Sequence, residues 1–121
     1  MKPLYLAAYH QSRFGKLGAL TVPEILESAV LGACDEIAAD AARIDVASVA
    51  AACNFTLNRQ GLLAGLVAEI PGLAGKPIEA VENACASGGQ AVLAVARKLA
   101  LGEGEVGIAI GYEKMRGDDG K

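Results

Sequence analysis

Strand-like and helix-like stretches alternate along this chain, and that alternation constrains its fold more than any other feature. Residues 4–9, 46–53, 78–84 and 105–111 are short apolar runs bounded by polar residues, Gly or Pro. Helix-periodic segments lie between them. Thr21-Val22-Pro23-Glu24 is a capping-box signature: the Thr hydroxyl can accept the N–H three residues on while Glu24 reaches back. After it, Ile25, Leu26, Ala29, Val30, Ala33 and Ile37 recur at helical spacing, with Glu24, Glu27, Asp35 and Asp40 mostly off that stripe. Cys34 borders the stripe, and packing explains it. Residues 61–70 form a second helical segment, stopped by Pro71-Gly72. A third, 87–101, is closed by Gly102. Residues 13–18, 54–60 and 115–121 read as loops. Strands alternating with helices predict an α/β fold with a mostly parallel sheet of four strands.

Two of these elements do not close on themselves. The 87–101 segment carries Ala91, Val92, Leu93, Ala94, Val95, Ala96 and Leu99 on nearly every side. A helix apolar all round is buried all round, so a second layer is expected above it. The last strand alternates Val106, Ile108 and Ile110 with Gly107, Ala109 and Gly111. Its small face admits the close approach of another backbone or helix. Composition agrees: apolar residues make up 53% of the 121 even before the 15 glycines are counted, where a typical soluble domain reaches ~45–50% with glycine included. A chain this size is one domain with little interior. The surplus predicts an apolar surface that packs against something outside the chain.

Other classes are disfavoured. Net charge is −3 and the 11 Lys and Arg form no cluster, so no nucleic-acid partner is expected. No apolar run reaches the ~18 residues of a membrane span, and Met1–Leu6 lacks a signal-peptide pattern. Cys34, Cys53 and Cys85 are odd in number and show no CxxC or zinc spacing. A reducing, cytoplasmic setting is the expectation. The Gly102–Gly107 stretch fits G-x-G-x-x-G, but it follows a helix and opens a strand, the reverse of a dinucleotide site, and its glutamates would repel a pyrophosphate. Asp118-Asp119 has no further ligands nearby, so no metal is expected.

The segment that carries chemistry is Val81-Glu82-Asn83-Ala84-Cys85-Ala86-Ser87-Gly88-Gly89-Gln90-Ala91. An apolar strand gives way to a cysteine, then to small residues, then to a helix. This is a strand–nucleophile–helix turn, similar in logic to the hydrolase nucleophile elbow. Ala84, Ala86, Gly88 and Gly89 leave room for a sharp bend and an approaching substrate. At a helix start, unpaired N–H groups and the dipole favour a thiolate and can hold a thioester oxyanion. Cys85 is therefore the expected nucleophile; a small buried cysteine at a tight turn is the alternative.

The same segment resembles the nucleophile motif of thiolases, close to Asn-x-x-Cys-x-Ser-Gly, with Asn83 here two residues before Cys85 and Ala86-Ser87-Gly88-Gly89 after it. Phe14-Gly15-Lys16 with Gly18 resembles the family's early loop. The Ala-rich run into Cys53-Asn54 resembles its second strand. Ile110-Gly111-Tyr112-Glu113-Lys114-Met115 resembles its Gly-x-Glu-x-Met stretch, especially in sterol-carrier-type members. The resemblance runs through nearly all 121 residues. It implies the N-terminal part of a layered thiolase fold over residues 1–121, with the 87–101 helix in the middle layer. It implies acyl transfer through a thioester on Cys85, with acyl-CoA as substrate and no separate cofactor. Asn83, Ala86, Ser87, Gly88 and Met115 would shape the turn or meet substrate, and Glu113 would line the site. A dimer, or a missing C-terminal half or partner subunit, would complete it. The family's histidine, second cysteine and further oxyanion groups have no matching positions; His10 reads as a loop residue and Cys53 is in no Cys-x-Gly motif. The chain alone is thus expected to be inactive as a condensing enzyme. A ketoacyl- or hydroxymethylglutaryl-CoA synthase relative shares the Cys-at-helix-start logic, but Ala86-Ser87-Gly88 favours thiolase. A scaffold domain that kept the fold and lost the chemistry is the non-enzymatic reading.

Overall fold

The structure is a computed structural model that describes residues 2–115. Of the expected 115–121 loop only Met115 falls within it, and Asp118-Asp119 lie outside the described residues.

Helix α1 spans Val22–Asp35, and the expected capping box starts it. The Thr21 hydroxyl accepts from Glu24 N, and the Glu24 carboxylate accepts from Thr21 N at 2.7 Å. A 3-10 turn at Ala41–Arg43 follows. Strand β1 is Val46–Ala50, α2 is Asn54–Asn58, α3 is Leu63–Ala68, β2 is Ile78–Val81, α4 is Ser87–Ala100 and β3 is Gly107–Gly111. The three strands form one parallel sheet in the order β2-β1-β3, with Ala50 opposite both Val81 and Gly111.

Four expectations need correction. Residues 4–9 are not a strand: Tyr5, Leu6 and Tyr9 are largely exposed and outside the sheet. An apolar run becomes a strand only when it finds a ladder partner, and residues 4–9 pair with neither of the open sheet edges, on β2 or on β3. The sheet therefore has three described strands. Second, residues 54–60 contain the short helix α2, closed by Arg59 in the left-handed conformation and by side-chain bonds from Asn54 to the Gln60 carbonyl and from Asn58 to the Lys114 carbonyl. Third, Cys53 does not end β1; it lies beyond the strand and caps α2. Fourth, each of the other expected strands and helices is shorter than its apolar run, because hydrogen bonding stops before hydrophobicity does.

The order of the strands explains the layers. From β1 the chain moves to one side to make β2, then crosses back over β1 to make β3. With right-handed connections, reversing direction puts the two crossover helices on opposite faces. Accordingly α3, joined by α1, packs on one face and α4 on the other. The α1/α3 face holds the core: Leu26 and Val30 of α1, Val49 of β1, Val67 of α3, Leu73 and Ile110. Burying each such side chain is worth about 1.5–3 kcal/mol. The turn after α3 depends on Gly72, at φ +94°, where a Cβ would sit 2.6 Å from Ala42 N.

On the other face the small side of β3 receives α4, as its pattern predicts. A Cβ on Gly107 would lie 2.4 Å from Val95 Cγ1. Only one face of α4 is covered, by Ser87, Ala91, Ala94 and Val95; Val92 and Leu93 stand half exposed on its outer side. Among the described residues no second layer covers that side.

Candidate active site

The β2–α4 turn is built from backbone bonds around one hydroxyl. Ser87 is buried, and its Oγ accepts from Asn83 N at 2.8 Å and donates to the Ala84 carbonyl at 2.6 Å. Ala86 N donates to the Asn83 carbonyl and Ser87 N to that of Ala84. The Glu82 carboxylate accepts from Ala84 N at 2.5 Å. Inside this web Ala84 takes φ +46°, so an alanine, rather than one of the nearby glycines, makes the sharp bend. A left-handed alanine costs roughly 1–2 kcal/mol. Cys85 follows it directly, exposed, just ahead of the helix cap Ala86.

Cys85 opens onto a groove of about 530 Å³. Three chain segments converge there: Ala50–Cys53 after β1, the turn residues Ala84, Cys85, Ser87 and Gly88, and Gly111, Tyr112, Glu113 and Met115 after β3. The groove lies beyond the carboxyl ends of the strands, beside the point where strand order reverses. Open α/β sheets generally bind ligands in that crevice. Its walls are mostly alanine, glycine and methionine. The carboxylate of Glu113 is turned onto backbone: it accepts from Ala52 N and, at 3.0 Å, from Cys53 N, tying the end of β3 to the end of β1.

The amino end of α4 faces this groove and has no side-chain cap. A helix start carries about half a positive elementary charge from its unpaired N–H groups. With no side chain occupying them, those groups are open to a thiolate at Cys85 or to an oxyanion beside it. A Cβ on Gly88 or Gly89 would meet nothing within 4 Å, so the space above the first turn is open. Cys34 is in the opposite situation. It is buried in the α1 face, and burial, followed by the charges of Asp35 and Asp40, pushes its thiol up.

The structure brings Cys85, Ser87, Gly88 and Met115 to the groove, with Glu113. Asn83 and Ala86 do not line it; they contribute backbone bonds to the turn. The β1 end, Ala50–Cys53, lines the groove and went unflagged in sequence. Its signal was the strand's direction: parallel strands present their carboxyl ends together. His10 is elsewhere, its ring packed over Gly32 of α1. The Gly102–Gly107 stretch lies at the other end of the sheet, where Asp45 accepts from Glu105 N and Val106 N. Among the described residues no group of His, Cys, Asp or Glu is placed to hold a metal ion. No helix there is long and apolar enough to cross a membrane.

The acetyl-CoA acetyltransferase of Methanothermobacter thermautotrophicus is 30% identical over 115 residues. The match covers 95% of this chain and 30% of that protein, so the chain spans about a third of its relative's length. The family model for the thiolase N-terminal domain matches residues 7–119, the site turn and all three strands included. The chain belongs to the thiolase family and corresponds to its N-terminal portion.

Proposed function

We propose that this chain is the nucleophile-bearing part of an acyl-CoA acyltransferase. One observation carries the reading: an exposed Cys85 at the uncapped start of α4, on a mostly apolar groove at the carboxyl end of a parallel sheet. The Cys85 sulfur attacks the thioester carbonyl of an acyl-CoA, and coenzyme A leaves as its thiol. Backbone N–H groups at the helix start stabilise the oxyanion. The acyl group, on Cys85, lies along the alanine, glycine and methionine wall. It then passes to the carbanion of a second acyl-CoA, or in reverse a 3-ketoacyl-CoA is cleaved. The covalent intermediate divides one difficult step into two easier ones.

In this reading Ser87 braces the turn, Gly88 leaves space for substrate, and the acyl-CoA thioester is substrate with no separate cofactor. The base that activates Cys85 and the second acid/base group come from outside these residues, either a C-terminal half or a partner subunit, or a second copy brings part of the site. The same material covers Val92 and Leu93 on α4. Without that base the chain loses roughly 10²–10⁴ of the rate. It is inactive in condensation but accepts an acyl group on Cys85. A cytoplasmic location fits the three free thiols.

The test is incubation with acetyl-CoA, followed by intact mass and peptide mapping. The expected product carries one acetyl group, on Cys85, and Cys85→Ala carries none while keeping its circular dichroism spectrum. Equal labelling of Cys34 and Cys85, or none, would sink the proposal in favour of a scaffold.

A further inference from the structure

Cys85 is not the only sulfur on the groove. Cys53 lines the same 530 Å³ space, just after the end of β1. The two turns are neighbours because β1 and β2 are paired strands, with Ala50 opposite Val81. Each cysteine follows its strand by a few residues. Both therefore border the one space that opens beyond the paired strand ends. Both backbones are tied down, Cys53 by the Glu113 carboxylate on its N–H and Cys85 by the Ser87 web on either side. The thiols differ in access: Cys85 is exposed, Cys53 half-buried, and Cys34 buried on the other face of the sheet.

We propose that the groove is a redox site in which peroxide oxidises Cys85 and Cys53 resolves it, giving a Cys53–Cys85 disulfide. The Cys85 thiolate attacks one peroxide oxygen; an S–O bond forms, the O–O bond breaks, and hydroxide or an alcohol leaves. The sulfur loses two electrons and the peroxide gains them. The Cys53 sulfur then attacks the Cys85 sulfenic sulfur; the S–S bond forms, the S–O bond breaks, and hydroxide takes the Cys53 proton as water. A dithiol reverses the reaction by exchange. The disulfide protects Cys85 from the irreversible sulfinic stage and withdraws it from any acyl chemistry. None of these steps requires acyl-CoA, so the proposal stands or falls apart from the acyltransferase reading.

The experiment treats the chain with hydrogen peroxide, blocks free thiols, and maps peptides without reduction. A mass lower by two hydrogens, a Cys53–Cys85 cross-linked peptide, a free Cys34 and full reversal by dithiothreitol are expected. Cys53→Ser should instead accumulate a dimedone-reactive sulfenic acid on Cys85 and proceed to the sulfinic acid. Cys34→Ser should still form the cross-link, which separates the pair's chemistry from general damage to the fold. The proposal is overturned if the disulfide includes Cys34, if Cys85 in the parent chain goes straight to the sulfinic acid, or if Cys53→Ser gives the parent's oxidation products.

Discussion

Helices α1 and α4 are both 14 residues long and lie on opposite faces of the same sheet, yet they are built for different ends. The amino end of α1 is closed twice over by Thr21 and Glu24, and those hydrogen bonds hold the Glu24 carboxyl below its usual range. Its inner face buries Leu26, Val30 and Cys34, while Glu24 and Asp35 stand exposed on the other side. The amino end of α4 has no such closure and opens on the groove. Its inner face is small, and its outer face is apolar and bare. The contrast separates two uses of a helix start. A capped start stabilises a helix; an uncapped one beside a cysteine leaves backbone charge free for chemistry.

Mutations can break or sharpen that contrast. The largest effect belongs to the closed side: Leu26→Ala should cost about 3 kcal/mol in denaturant unfolding, whereas Leu93→Ala on the outer side of α4 should stay within ~0.5 kcal/mol. Equal losses would mean the outer face of α4 is covered in solution. Next, Ser87→Ala leaves Asn83 N–H without its acceptor; a loss of about 1–2 kcal/mol and slower alkylation of Cys85 by iodoacetamide are expected. If the alkylation rate holds, Ser87 does not position the thiol. A carboxylate at the open helix start tests the division of labour directly. Ala86→Asp should stabilise the chain by ~1 kcal/mol while slowing Cys85 alkylation, because the new charge competes for the same amides. Faster alkylation would contradict the electrostatic account.

The smallest effect concerns pH and the far end of the sheet. Hydrogen bonds from Val106 N and Glu105 N, in that order, hold the Asp45 carboxyl below its ordinary value. A carboxyl lowered by folding contributes stability above its unfolded value of 3.8 and loses it as pH falls through the lower folded value. Thermal melts should therefore show Asp45→Asn less stable than the parent at neutral pH, with the gap narrowing in acid. A constant gap would assign the loss to geometry instead of charge.

The parts legible in sequence were those set by neighbours along the chain. The capping box at Thr21, the period of α1, the strand–Cys–helix order around Cys85 and the small face of β3 are all local patterns, and local sterics and hydrogen bonding enforce them wherever the chain goes. The apolar excess of the 87–101 segment was legible as well, and it leaves Val92 and Leu93 half exposed on α4. What tertiary structure alone decided were matters of partnership. Residues 4–9 look like a strand, but pairing is a property of two segments, and they lie against neither open edge of the sheet. That Cys53 stands at the same groove as Cys85 follows from strand order, which no stretch of sequence contains. The bend at Ala84 belongs here too: nothing about an alanine announces positive φ, and only the bonds converging from Ser87 and its neighbours hold it there.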